Sequence, residues 1–228
     1  MFRYWRPDWR RAAWRIGLLA GLFWLAGCAQ EARLPGGADN GDILFADAFT
    51  PGQTGQWHTE ADASGSTAIE EERLVVAIYA PNIVQYAGLR EPLFDDFVLE
   101  VDATLLEGPP DSSYGILFRL QEDGGFYRFN VTGEGFYIVD RLNPDGTWTW
   151  LTPNGWMESA AIKQGVNAAN RLKVIVGGPN MIVFVNGEPL GQFTDTMGYM
   201  QGQVALNAGA FNQPGVRVAF DNLMVRQP

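Results

Sequence analysis

Trp148 and Trp150 are the residues of this 228-residue chain whose type and spacing first suggest chemistry. Side chains at i and i+2 of an extended strand share a face, so the two indoles are expected side by side. Sugar rings present apolar C–H faces that lie well on indole and phenol rings, and polar neighbours then take the hydroxyls. Trp156 follows in the next loop, and Tyr127, Tyr137 and Arg119 fall on neighbouring predicted strands. Arg119 alternates with Leu117 and Gly115 and is out of phase with Ile116 and Phe118, so its guanidinium is expected outside the core. Arg119, Tyr127, Tyr137, Trp148, Trp150 and Trp156 form the candidate ligand-binding set. The competing reading is that alternating aromatics fill the interior of a β-fold or cover its edge.

Bond-breaking chemistry is encoded less well. Hydrolysis of a glycoside with retention needs two carboxyl groups about 5 Å apart across the scissile bond. Glu100 and Asp102 start a run of alternate acids, but Thr104 and Leu105 stand where another would be needed. Glu107 lies further on, before Gly108-Pro109-Pro110. Glu100 and Asp102 therefore read as a solvated strand face. His58 is the only histidine, and no Gly-x-Ser-x-Gly nucleophile elbow accompanies it. One histidine and one cysteine cannot fill a structural zinc shell. Asp47, near the first strand, and Asp221, in the last, are expected to come near each other if the terminal strands pair, which makes them candidates for a structural calcium ion. Calcium takes six to eight oxygens; the alternative is that both aspartates cap turns.

The elements that must hold these residues have a period of two. Phe97, Leu99, Val101, Ala103 and Leu105 share one face of a strand, with Glu100, Asp102 and Thr104 on the other. Strands are predicted over Tyr114–Leu120, Phe126–Thr132, Gly135–Leu142, Thr147–Leu151, Arg171–Val176, Met181–Val185, Glu188–Phe193, Gly202–Ala208 and Val216–Val225. Gln121–Gly125, Asn143–Gly146, Gly177–Asn180 and Asn186-Gly187 supply the turns between them. The 27 glycines and 13% aromatic content agree with strands and turns. No stretch carries a helix-length apolar stripe of period 3.6. The expected fold is all-β, an antiparallel two-sheet sandwich.

The N-terminus carries its own signal. Arg3, Arg6, Arg10, Arg11 and Arg15 precede the apolar run from Ile16 to Ala26, which is too short to span a bilayer. Leu25-Ala26-Gly27-Cys28 ends that run and resembles the lipobox of bacterial lipoprotein signal peptides. The resemblance implies cleavage before Cys28, lipid on its sulfur, and attachment to a membrane on the extracytoplasmic side of the cell envelope. Residues 1–27 are then a signal peptide, 28–41 a lipidated flexible tether, and 42–228 one domain. Removing 1–27 takes five of the 16 Lys+Arg and one of the 26 Asp+Glu, leaving 11 and 25, a net charge of −14. Nucleic acid is excluded as a partner by that charge.

The domain resembles the concanavalin A-like lectin/glucanase jelly rolls, and within them the 3-keto-disaccharide hydrolase domain family. The residues that carry this are Phe45-x-Asp47-x-Phe49 with Trp57, Asp96 to Val101, Ser113 to Arg119, Phe126 to Phe129, Ala161-Ile162, Asn170 to Leu172, Phe184 to Gly187, and Ala219 to Leu223. The resemblance implies a jelly roll and activity or binding toward sugars. The family's Glu-x-Gln pair belongs on the strand after the Ser113–Arg119 segment, where this chain reads Tyr127-Arg128-Phe129-Asn130 and lacks the carboxylate. The leading expectation is thus a non-catalytic glycan- or surface-binding module with no cofactor beyond the calcium considered above. The alternatives are a glycoside or 3-keto-disaccharide hydrolase using Glu100, Asp102 or Arg119, and a structural or protein-interaction module.

Overall fold

A computed structural model of the chain describes residues 41–52 and 56–228. The signal peptide, Cys28 and nearly all of the tether lie outside the described residues. Among the described residues there are sixteen strands and no α-helix. In chain order they are β1 (Ile43–Asp47), β2 (Trp57–His58), β3 (Gly65–Glu70), β4 (Arg73–Ile78), β5 (Ile83–Leu89), β6 (Phe97–Glu107), β7 (Ser113–Leu120), β8 (Phe126–Thr132), β9 (Phe136–Leu142), β10 (Trp148–Trp150), β11 (Met157–Glu158), β12 (Ala169–Gly177), β13 (Asn180–Val185), β14 (Glu188–Thr194), β15 (Gln203–Ala210) and β16 (Val216–Arg226).

They form two eight-stranded antiparallel sheets. The first runs β14-β13-β12-β6-β16-β4-β3, with β1 also paired to β16; the second runs β10-β9-β8-β7-β15-β5-β2, with β11 also paired to β9. The alternation read from the sequence is what stacks them. Leu99, Val101, Ala103 and Leu105 of β6 and Leu172, Val174 and Val176 of β12 face Tyr114, Ile116, Phe118, Phe129 and Val131 of the second sheet in one buried cluster. Each such side chain contributes about 1.5–3 kcal/mol when fully buried. The opposite phase of β6 carries the polar ladder: Arg171 meets Glu100 at 3.0 Å and Asp102 at 3.2 Å, and Lys173 meets Glu100 at 3.2 Å. This is the solvated acidic face, on the outer side of the first sheet.

The expected strands form, with boundaries shifted by a residue or two. Asn186 (φ 51°) and Gly187 (φ 86°) make the tight turn from β13 to β14. Strands β2 to β5 and β11 are additional to those expected. The terminal strands do pair, Asp47 opposite Leu223.

Candidate functional site

The second sheet has an outer face that is unusual in being polar and buried at once. The pairing register lays it out in rows. One row reads His58, Gly88, Ala205, Leu117, Arg128, Asp140 and Trp150 from β2 across to β10. The next reads Tyr86, Asn207, Gly115, Asn130 and Ile138. A third holds Gly209, Ser113 and Thr132, and at the opposite end Phe126, Leu142 and Trp148 lie together. On the central strands Ala205, Gly209, Gly115 and Ser113 are small, with Leu117 and Arg128 the large residues among them. This outer face is called the trough.

Its floor contains two polar units. Asn130 and Asn207 exchange amide hydrogen bonds: Nδ2 of Asn130 donates to Oδ1 of Asn207 at 2.8 Å, and Nδ2 of Asn207 donates to Oδ1 of Asn130 at 2.9 Å. These residues sit two strands apart, with Gly115 between them. A Cβ at Gly115 would lie 2.7 Å from Asn130 Oδ1 and 2.1 Å from the Phe129 carbonyl oxygen. The absent side chain is what lets the amides meet. One row away, Arg128 donates from Nε to Asp140 Oδ1 at 2.9 Å and from Nη2 to Oδ2 at 2.5 Å. Burial pushes the Asp140 carboxyl up, and the guanidinium pulls it back. Trp148 lies over that guanidinium, 4.2 Å from ring centroid to Cζ, and edge-on to Phe126. At the other end Trp156 meets Phe211 edge-on at 6.3 Å.

Trp148 and Trp150 share this outer face. Trp150 is 47% exposed, whereas Trp148 is partly buried by its packing on Arg128 and Phe126. Three of the sequence-predicted residues are not on it, and the expectation for them is corrected. Tyr127 faces the core, stacked on Phe118 with its hydroxyl donating to Asp195 at 3.0 Å. Burial, and then the Asp195 carboxylate, push its phenol up to about 12. Tyr137 also faces inward and donates across the sandwich to the Leu190 carbonyl at 2.9 Å. Arg119 is fully buried rather than outward-facing. The ladder between β7 and β15 slips between Gln203 and Ala205, and Arg119 takes φ 51° there, so alternation fails after Phe118. Its guanidinium donates to the carbonyls of Asp95, Gly178 and Tyr199, each at 2.8 Å, and clips three loops at one end of the sandwich.

Asp47 accepts from the Phe49 amide at 2.7 Å and from Trp57 Nε1 at 2.8 Å, and Asp221 accepts from the Asn222 amide. That is turn-capping geometry. No group of three or more His, Cys, Asp and Glu side chains able to hold a metal occurs among the described residues. Among the described residues Asp140 is the one acid on the trough floor; Glu158 shares the face only at its edge, opposite Phe136. Four residues at ~3.4 Å each put the two backbones ~14 Å apart along β9, before one strand spacing is added. The Asp140 carboxyl is moreover held by Arg128 through both oxygens. Arg128, Asn130, Asp140 and Asn207 are floor residues the sequence reading did not single out.

Residues 48–226 match the family described as the 3-keto-alpha-glucoside-1,2-lyase-like domain. No protein of curated function matches the chain. Among solved structures, the carbohydrate-binding module CBM66 from Bacillus subtilis aligns at 17% identity with a TM-score of 0.60, covering 75% of this chain and 96% of its own. A Bacillus subtilis protein with a galectin-like fold aligns at 12% identity and TM-score 0.63, covering 82% and 96%. The β-glucanase of Bacillus licheniformis aligns at 10% and 0.60, covering 83% and 99%. The fold is therefore a concanavalin A-like jelly-roll sandwich.

Proposed function

The chain belongs to the 3-keto-alpha-glucoside-1,2-lyase-like domain family, and on that premise we propose that it is a non-catalytic glycan-binding module, displayed from the cell envelope by lipid on Cys28. The observation that carries the reading is the trough floor, where a reciprocal Asn130–Asn207 amide pair and the Arg128–Asp140 ion pair are set into an otherwise apolar sheet face. These side chains are at most 4% exposed, so they would shape the face from beneath, while Trp150 at its edge is 47% exposed and offers a ring on which the C–H face of a sugar would lie. The similarity to a carbohydrate-binding module and to a β-glucanase supports sugar as the ligand class. The state of Asp140 supports binding over hydrolysis, because this carboxylate is 1% exposed and committed to Arg128 through both oxygens.

The test is a panel of soluble polysaccharides in affinity gel electrophoresis. Retardation by at least one glycan is expected. Trp150→Ala should weaken it about tenfold, the effect of losing roughly 1.4 kcal/mol of stacking on an exposed ring. No retardation by any glycan would overturn the proposal. Turnover of a glycoside or keto-sugar that disappears in Asp140→Asn would favour the enzymatic reading instead. For the anchor, Cys28→Ser should move the full-length protein from the detergent phase to the aqueous phase on Triton X-114 partition; an unchanged distribution would remove the lipid from the proposal.

A further inference from the structure

The pairing register fixes which end of the sandwich the tether enters. Ile43, the first residue of β1, lies opposite Arg226, and Arg226 lies opposite Val98 near the start of β6. Val176 of β12 lies opposite Phe97, and Thr194 of β14 lies opposite Asn180, at the same end. Residues 90–96 and 195–202 cap that end. Phe94 and Gly202 exchange backbone hydrogen bonds between the two loops at 2.9 and 3.0 Å, and Arg119 clips both from beneath. The second loop is pinned further. The Tyr199 hydroxyl donates to the Leu142 carbonyl at 3.0 Å, and Asp195 accepts from Tyr127 at 3.0 Å and from the Met197 amide at 3.1 Å. Yet Met197 is 86% exposed, Leu93 58% and Ile43 61%, with Met200 exposed beside them. Large apolar side chains are thus held out into solvent by a hydrogen-bonded frame, at the end where the tether begins. Val166 marks the opposite end, next to Asn167, whose amide donates to the Leu105 carbonyl.

Resting on the lipid-anchor reading, we infer that this end seats against the surface of a zwitterionic bilayer, with Leu93, Met197 and Met200 entering the headgroup layer. Reach decides which end can do so. Residues 28–40 separate Cys28 from Gly41, and thirteen residues span at most about 45 Å. Strands β6 and β16, of eleven residues each, run about 36 Å. The opposite end would meet the bilayer only if the tether ran back along nearly the whole sandwich. Leucine and methionine side chains have no strong donor or acceptor to desolvate, so they gain by entering the boundary between headgroups and acyl chains. Charge selects the headgroup. Asp42, Glu91, Asp95 and Asp123 are exposed at this end, with Arg90 the exposed cation beside them. Arg119 and Arg141 are paired with Asp96 and Asp195. Anionic lipid repels such a rim, whereas a zwitterionic headgroup offers it an ammonium. In this pose the strands stand away from the membrane, and the exposed Trp150 stays open to solvent.

The experiment uses the full-length gene product, extracted in detergent from the producing bacterial membrane and reconstituted into phosphatidylcholine vesicles. Cys28 is the only cysteine, and lipid on its sulfur blocks the thiol. Leu93→Cys, Met197→Cys and Val166→Cys therefore each take one nitrobenzoxadiazole label. Emission is compared between vesicles with and without a spin-labelled phosphatidylcholine quencher. Labels at positions 93 and 197 should lose about half of their emission or more, and the label at 166 less than about a tenth. Adding phosphatidylglycerol to the vesicles at low salt should reduce the quenching at 93 and 197. Met200→Cys replaces either variant that does not fold. No quenching at 93 and 197, equal quenching at 166, or stronger quenching with phosphatidylglycerol overturns this inference and leaves the anchor standing. Label taken up by Cys28 in the parent protein overturns the anchor, and this inference with it.

Discussion

Gly115→Ala is a one-methyl change that should be felt across three strands. The new Cβ would lie 2.1 Å from the Phe129 carbonyl oxygen, 2.7 Å from Asn130 Oδ1 and 2.9 Å from Asn130 Cα. Two of these three atoms are backbone in a paired strand, so no rotamer change relieves the clash. Overpacking of this kind costs about 1–3 kcal/mol. The third atom belongs to the amide pair, and pushing Asn130 aside breaks two hydrogen bonds worth roughly 0.5–1.5 kcal/mol each. Together the loss is about 2–6 kcal/mol. With a urea m-value of about 2–3 kcal/mol/M for a domain of this size, the midpoint should fall by about 0.7–3 M. Gly88→Ala is the matched control on the same face, because its Cβ meets no described atom within 4 Å; it should stay within about 0.5 kcal/mol of the parent. Equilibrium urea unfolding followed by tryptophan fluorescence reads both. A Gly115→Ala midpoint indistinguishable from that of Gly88→Ala would refute the claim that Gly115 is empty so that the amides can meet.

Arg119→Met should lower stability by about 3–5 kcal/mol, because the carbonyls of Asp95, Gly178 and Tyr199 lose their common donor inside the fold. Arg119→Lys should recover little of it, since one ammonium cannot span the fork; thermal unfolding of the two variants checks this. Tyr127 gives a pH signature: its unfolded phenol releases a proton near 10, while the folded one holds it to about 12. The unfolded state then binds fewer protons across that window, so stability is full below pH 10 and falls as pH rises toward 12, by about 3 kcal/mol in total. Tyr127→Phe should remove that part of the decline in urea titrations from pH 9 to 11.5, and parallel curves for the two proteins would contradict it. Glu100→Gln should change stability by less than about 1 kcal/mol and leave glycan retardation unchanged, because its partners Arg171 and Lys173 lie on the outer face of the other sheet.

Strand phase was legible in the sequence wherever pairing is regular. Leu99, Val101, Ala103 and Leu105 face the core, and Trp148 and Trp150 share a face, as a period of two requires. The same rule would have put Tyr127 inward, in phase with Phe129 and Val131, had phase been weighed before residue type. Arg119 is a different failure, since a bulge resets the phase and nothing local in the sequence announces it. The hairpin from β3 to β4 was silent for another reason. Its turn is Glu71-Glu72, at φ 49° and 60°, a conformation that Asn-Gly usually marks. Strand β4 is buried on both faces over Leu74 to Ile78, so it shows no alternation either. The floor was missed because its signal is a pair of polar residues, Arg128 and Asn130, alternating with aromatics, and that pattern ordinarily marks a solvated face.

Whether such a face is solvated depends on the shape of the sheet, and the two outer faces show the contrast. On the first sheet Glu100, Asp102, Arg171 and Lys173 form a ladder in which Arg171 is 44% exposed, where water shares the load and little stability is at stake. On the second sheet Arg128, Asp140, Asn130 and Asn207 are all at most 4% exposed. A buried ion pair can often be replaced by apolar residues of similar size without loss of stability, and sometimes with a gain. Leu, Ile and Val at these positions would satisfy the sandwich equally well, and Ile138 and Leu117 already stand beside them. Stability therefore gives no reason for a polar floor. The reason must lie in what these pairs hold in place, and the Arg128–Asp140 pair holds Trp148, whose ring covers the guanidinium at 4.2 Å and whose neighbour Trp150 is the exposed indole of this face.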